Sequence, residues 1–465
     1  MRRICVPLSA LALAACTTVG PDYRPLAPTE LAVPETYAGP AAPGVTADLS
    51  RWWESFDDPL LTRMIADASA ENLDLVVASA RLVQARESLV QARAGLVPTV
   101  GASGSANRSI GPGDDTTRFS VGADASWEID LFGRIRRGVE AAGADAEGAW
   151  YDREALRAAI AAEVATNYIE ARLAQERLAL ARDTLAISDD NLQIAQWRVQ
   201  AGLASSLDSE QARGARASNA ASIPNIENSF TSATYRLAVL TGRAPGALTA
   251  ELAEARPIPR GPAEIAAGIP ADTLRQRPDI RAAERSLAAA TARVGVAEAQ
   301  LYPGLRLSGS IGTAAFSLGN LFSAITGSIL GGIDQTLFDG GRLRSQLRSQ
   351  QAATEASLAS YRQSVLTGLE DVENALLALN AARTRQAEFA IALDAATNSA
   401  ILSRVQYRSG LTDFRALLDA ERSLLSARDG MANSRGDEAR AIVQLYRALG
   451  GGWDASAPPE TGANP

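Results

Sequence analysis

The stretch Phe119-Ser120-Val121-Gly122-Ala123-Asp124-Ala125-Ser126-Trp127-Glu128-Ile129-Asp130-Leu131-Phe132 alternates apolar and polar side chains almost without a break. Successive side chains of a strand point to opposite faces. Phe119, Val121, Ala123, Ala125, Trp127, Ile129 and Leu131 therefore share one face, and Ser120, Gly122, Asp124, Ser126, Glu128 and Asp130 the other. A tilted strand crosses a bilayer with about 9–11 residues, so this one is long enough. A half-buried strand of a soluble sandwich alternates in the same way. A partner rich in Gly, Ser and Ala precedes it, and a second pair follows in which Leu305, Leu307 and Ile311 share a face. Ile325, Ile329, Ile333 and Leu337 align less cleanly. Strands are expected at about 98–109, 117–132, 303–314 and 325–338. Four strands cannot close a membrane barrel, whose minimum is about eight, and lipid tolerates no open sheet edge. Membrane strands here require several chains to share one barrel.

Outward from the strands the chain is helical and duplicated. Asn72-Leu73-Asp74-Leu75 pairs with Arg277-Pro278-Asp279-Ile280, and Leu96-Val97-Pro98 with Leu301-Tyr302-Pro303, at a spacing of 205 (279 − 74, 303 − 98). Ala201-Gly202-Leu203 pairs with Ser409-Gly410-Leu411, and Leu240-Thr241-Gly242 with Ala448-Leu449-Gly450, at 208 (410 − 202, 450 − 242). Each copy, 61–242 and 277–450, reads as one shorter helix, two strands and two long helices, with a Pro-bearing segment at 243–276 between them. The long helices are expected at about 136–201, 205–242, 342–409 and 413–449. A Pro-free run of roughly 65 residues spans about 100 Å as a helix, far beyond a compact globule. The fold class is mainly α with a membrane β portion. The strands weigh against the simpler reading of a fibrous coiled coil.

Composition removes most chemistry. Of 465 residues, none is His and none is Lys, so all 45 basic residues are Arg. Triads that need His, imidazole metal ligands, Schiff bases and phosphate loops built on Lys are excluded. With 53 acidic residues and a net charge of −8, nucleic acid is no expected partner. No cofactor and no metal site is expected, and the carboxylates Glu370, Asp371 and Glu373 read as partners of nearby Arg, not as an acid–base pair. Met1-Arg2-Arg3 followed by an apolar run and Leu13-Ala14-Ala15-Cys16 has the form of a signal peptide over 1–15. Its end resembles the lipobox of bacterial lipoproteins, in which cleavage precedes an acylated Cys. Cys16 is thus the expected lipid anchor, heading an N-terminal segment over 16–60, and several acyl chains would hold it firmly. Residues 451–465 read as a flexible tail.

Trp52-Trp53-Glu54-Ser55-Phe56-Asp57-Asp58-Pro59-Leu60, Asp130-Leu131-Phe132-Gly133-Arg134, Leu337-Phe338-Asp339-Gly340-Gly341-Arg342 and the two Gly-Leu turns, taken in order, resemble the TolC-like outer-membrane efflux factors of Gram-negative bacteria. The lipobox makes the chain similar to the lipoprotein branch that serves resistance-nodulation-division (RND) drug pumps. The resemblance implies a homotrimer whose 12-stranded barrel continues as a 12-helix barrel through the periplasm, lipid-anchored in the outer membrane. It implies a passive exit duct for small molecules, with a periplasmic membrane-fusion adaptor and an inner-membrane RND transporter as partners. The turns at Gly202-Leu203 and Gly410-Leu411 would meet the adaptor, a Gly ending one helix and Ser or Thr capping the next. Asp419 matches a carboxylate that forms an acidic ring in three copies, and Asp208 with Tyr407 matches a pair that links neighbouring helical coils in the closed state. Thr412 and Ala416 depart from the pattern, which leaves Asp413 and Arg415 as alternative members of that lock. The other readings are the outer-membrane part of type I protein secretion, which the lipobox disfavours, and a non-conducting periplasmic scaffold lipoprotein.

Overall fold

The computed structural model of the chain describes residues 18–39, 49–111, 115–457 and 459. The leader and Cys16 lie outside them. Helices α1 (Pro59–Glu71) and α2 (Leu73–Ala94) lead into strands β1 (Thr99–Ser109) and β2 (Thr116–Ile129), then helices α3 (Arg134–Gln200) and α4 (Ser206–Leu240). Two short helical turns, Thr249–Leu252 and Pro270–Gln276, precede the second copy: α5 (Pro278–Ala299), β3 (Gly304–Ala315), β4 (Ile325–Asp334), α6 (Arg342–Arg408) and α7 (Phe414–Ala448).

Helices α3 and α6 each run 67 residues, which at about 1.5 Å per residue makes them roughly 100 Å long. Each starts at a glycine with left-handed backbone, ends at another, and returns through a 35-residue helix that ends at a third. The three pairs, Gly133 and Gly341, Gly202 and Gly410, Gly242 and Gly450, all stand 208 apart (341 − 133, 410 − 202, 450 − 242). A side chain at such φ is strained, so these positions fix where each copy turns.

The core lies at mid-length of the long helices. Trp52 stacks on Tyr446 of α7 with centroids 5.4 Å apart and meets Trp53 and Phe56 edge-on. Around them pack Leu61, Met64 and Ile65 of α1 and Val164, Tyr168 and Ile169 of α3, all with at most 1% exposure. The motif Trp52-Trp53-Glu54-Ser55-Phe56 is thus a short 3-10 helix whose aromatic rings fill the belt between the two copies. Asp58 accepts hydrogen bonds from the amides of Leu60 and Leu61 at the start of α1, and its other oxygen accepts the Tyr168 hydroxyl at 2.8 Å. Buried Arg172 donates to Tyr168 Oη and to the Glu254 carbonyl.

Residues 18–39 form a strap along this body. Arg137, with its side chain 5% exposed, donates to the carbonyls of Val19 and Gly20 and to Asp22, while Gly20 lies so close to Gly295 that a Cβ would fall 2.4 Å from its Cα. Tyr23 donates to Glu284 at 2.9 Å, and Leu31 is buried against Ile280, Leu287, Tyr361 and Val365. The amides of Ala38 and Gly39 donate to the two oxygens of Glu373.

Four expectations are corrected here. Glu373 binds strap amides rather than Arg, although Asp371 does meet Arg277 at 3.0 Å. The fourth strand stops at Asp334, not near residue 338, because β3 begins at Gly304, the register partner of Asp334, and offers nothing beyond it to pair with. The tail is folded at its start: Trp453 is 3% exposed, edge-on to Trp150 and Tyr151, and donates its indole hydrogen to the Gln276 carbonyl. An indole of that area pays back its ordering when it fills a gap between helices. The helix after Gly410 is capped by Asp413 and not by Thr412, since Asp413 Oδ1 accepts the Ala416 amide at 2.8 Å.

Candidate functional site: the sheet and the helix tips

The four strands form one antiparallel sheet in the order β1-β2-β3-β4. Register decides what its faces carry, because residues directly opposite in a ladder share a face. Val121 faces Gly104 and Thr313, Ala123 faces Ala102 and Ile311, Ala125 faces Val100 and Gly309, and Trp127 faces Leu307. On β4, Ile325, Ile329 and Ile333 face Thr313, Gly309 and Leu305. All of these lie on one side, so the β4 isoleucines that align poorly in sequence join an apolar face four strands wide. The opposite side carries Ser103, Ser105, Asn107, Ser120, Asp124, Ser126, Glu128, Arg306, Ser308, Ser310 and Ser328, with Leu330 and the small Ala314 as apolar exceptions. Ser105 pairs with Ser120 at 2.8 Å and Ser310 with Ser328 at 2.9 Å across strands on this polar face. Ile329 is 86% exposed and Ile333 76%. Strands β1 and β4 are the sheet's two edges, each paired on one side only.

At the far end of the long helices the two turns have the same construction. The Gly202 amide donates to the Val199 carbonyl and the Leu203 amide to the Arg198 carbonyl; Gly410 and Leu411 repeat this with Tyr407 and Gln406. Ser205 caps α4 by accepting the Leu207 amide, as expected. Leu203 and Leu411 stand out from the tips at 69% and 79% exposure, and neither Gly202 nor Gly410 has any atom within 4 Å of where a Cβ would stand.

A small core joins the tips. Tyr407, Phe414, Leu417 and Leu418 of the second hairpin pack on Ala195 and Ala212 of the first. Tyr407 is 3% exposed. Burial raises its phenol above the ordinary value, the Arg198 guanidinium opposes that rise, and the nearby Asp208 carboxylate adds to it. The structure thus brings Tyr407 and Asp208 into one neighbourhood, together with Arg198, which no motif singles out. Asp419 lies on the exposed face of α7 with Arg422 one turn on, at 3.6 Å. Arg415 is exposed and makes no ion pair among the described residues. Asp413 is engaged as a helix cap. Among the described residues there is no group of three His, Cys, Asp or Glu that could hold a metal, and no helix is long and apolar enough to cross a membrane.

A sheet apolar on one face and polar on the other, carried on helices of about 100 Å, has the pattern of a membrane sheet joined to a long helical body. Residues 64–243 and 269–451 match the outer membrane efflux protein family, and the chain belongs to it. It is 33% identical to Nodulation protein T of Rhizobium leguminosarum bv. viciae, over 97% of this chain and 94% of that protein. It is 32% identical to the pyoverdine export outer membrane protein OpmQ of Pseudomonas putida, over 98% and 99%. The solved outer-membrane channel OprN superposes with a TM-score of 0.85 at 37% identity, over 94% of this chain and 99% of that one. The open-state MtrE channel of Neisseria gonorrhoeae gives 0.84 at 28%, over 94% and 99%. The protein is an outer-membrane efflux channel of TolC-like fold, a transport protein and not an enzyme, and it works as the outer-membrane component of an efflux pump in a Gram-negative bacterium.

Proposed function

We propose that three copies of the chain close one 12-stranded barrel, with the apolar face toward lipid and the polar face toward a water-filled lumen, and that the twelve long helices continue it as a periplasmic tube. The observation that carries this is the sheet itself. Its apolar face is continuous across four strands while β1 and β4 are left with one unpaired edge each, and a lipid environment requires those edges to be paired. Four strands are too few to close alone. Cys16 carries the lipid anchor. The exposed tips at Gly202-Leu203 and Gly410-Leu411 take a periplasmic adaptor, which couples the duct to an inner-membrane RND transporter. Asp208, Tyr407, Asp419 and the neighbouring Asp413 and Arg415 belong to the periplasmic gate.

Native mass measurement of the detergent-purified protein, followed by planar-bilayer recording, tests this reading. A trimer with discrete conductance steps is expected. A monomer or dimer would remove the shared barrel, and silence from every preparation, including gate variants, would favour a scaffold. Acidic residues at both Leu203 and Leu411 should abolish adaptor co-purification with trimer abundance unchanged; full recovery of adaptor would count against the tips.

A further inference from the structure

We propose that Arg198 is a positioning residue of the periplasmic gate: from the last turn of α3 it holds Tyr407, and with it the end of α6, against the first hairpin of the same chain. This rests on the channel reading and adds a latch within one subunit to it. The Arg198 guanidinium lies over the Tyr407 ring, 4.5 Å from its centroid, and Nη1 donates to the Tyr407 carbonyl at 2.9 Å. That carbonyl belongs to the final turn of α6, where carbonyls lack partners along the helix and a cation is favoured. It also accepts the Gly410 amide, so one side chain grips both the ring and the backbone from which the second turn departs.

Two further observations separate this contact from ordinary hairpin packing. The first is where it falls along the seam between α3 and α7. Toward the equator the seam is fastened by Glu170 with Arg440, Glu176 with Arg435 and Arg177 with Asp429. From Arg177 to Arg198 is about 30 Å of helix. Over that length, among the described residues, no other hydrogen bond or ion pair joins the two hairpins, and Thr184, Asn191, Leu418 and Leu425 line an open hollow between them. Below the Arg177 level the second hairpin is therefore held to the first by the small apolar core of the tips and by one polar grip, that of Arg198. The second observation is the duplication. At the spacing of 208 that relates α3 to α6, the counterpart of Arg198 is Gln406 and that of Tyr407 is Val199. The turns are duplicated, but the grip is present once. It runs from the first hairpin to the second, which carries Asp419.

Planar-bilayer recording of the purified full-length protein without adaptor tests the latch, with wild type, Arg198→Ala, Arg198→Lys and Tyr407→Leu compared. Loss of a cation–π contact with its hydrogen bond should raise the open fraction about ten-fold in Arg198→Ala and in Tyr407→Leu. Arg198→Lys, which keeps the cation over the ring, should recover part of the closed state, a rescue that damage to packing would not give. SDS-resistant trimer should be unchanged throughout. Channels that conduct alike in wild type and Arg198→Ala overturn the latch alone, as does an Arg198→Lys no tighter than Arg198→Ala. If Arg198→Ala yields no trimer, the decision passes to Tyr407→Leu: wild-type conductance there overturns the latch. Silence in every variant removes the channel reading and the latch with it.

Discussion

The two copies share a backbone and differ in what their side chains are used for. At the equatorial end, Asn72 caps α2 through Oδ1 and donates Nδ2 to the Leu240 carbonyl at the end of α4. In the second copy Arg277 stands at that place and donates to the Ala448 carbonyl, while also meeting Asp279 and Asp371. In the core, Tyr168 of the first copy bridges Asp58 and Arg172, where the second copy has Leu376 at the matching place. At the tips the first copy supplies Arg198 and the second supplies Tyr407. The duplication conserved turns and helix lengths because these set where the strands and tips fall. The polar side chains at matching places differ, some serving contacts within a copy, as Asn72 and Arg277 do, and some contacts between copies, as Arg198 does.

The largest test of this comparison sets glycines of equal φ against each other. Gly242 and Gly202 have φ of 69° and 70°, but a Cβ at Gly242 would fall 2.6 Å from the Glu71 carbonyl oxygen whereas Gly202 faces open space. Gly242→Val should cost ~4 kcal/mol or more and leave little SDS-resistant trimer, against about 1 kcal/mol for Gly202→Ala. Next comes the equatorial pair. Arg277→Ala strands a carbonyl and two carboxylates and should cost about 3 kcal/mol, against about 2 kcal/mol for Asn72→Ala, both read from denaturant midpoints. Equal costs would mean that the second copy gains nothing from its charge. Third, Tyr168→Phe should cost about 1–2 kcal/mol. Burial and the bond to Asp58 push the Tyr168 phenol up to about 12, so the unfolded chain gives up this proton first. The stabilisation is complete below pH ~10, the ordinary phenol value, and falls as pH rises from there through about 12. Tyr168→Phe should remove that part of the alkaline loss, measured by thermal unfolding across that range. Smallest in stability is Asp419→Ala, within ~0.5 kcal/mol for an exposed pair. Its expected effect is a reduced cation selectivity in bilayers, and unchanged selectivity would count against an acidic ring.

Much of this was legible in the residues. The alternation from Phe119 to Ile129, the two Pro-free 67-residue helices and the paired Gly turns each depend on local pattern, and the strands and helices lie near the expected places. What was not legible depends on which of many similar side chains the packing selects. Arg198 is one of 45 arginines, and nothing in its neighbours marks it; only the meeting of the two hairpins at their tips brings it over Tyr407. The aligned face of Ile325, Ile329 and Ile333 needed the register with β3 to be seen. Trp453 sits in a segment whose Gly, Ser and Pro suggest no structure, and its burial follows from edge-on packing against Trp150 and Tyr151 that the sequence does not show. Asp413 captured the cap from Thr412 because its carboxylate reaches the Ala416 amide three residues on.

The strap also settles how a pull on the chain's front end is distributed. A load at residue 18 passes first to the Phe132 carbonyl through the Val19 amide and to Arg137 through Val19, Gly20 and Asp22, next to Glu284 through Tyr23, and last to Glu373 through Ala38 and Gly39. Arg137, Glu284 and Glu373 lie on α3, α5 and α6, none on a strand. A pull on the strap is therefore borne mainly by long helices, with the bond from Val19 to the Phe132 carbonyl, just past the end of β2, as a tie beside the sheet.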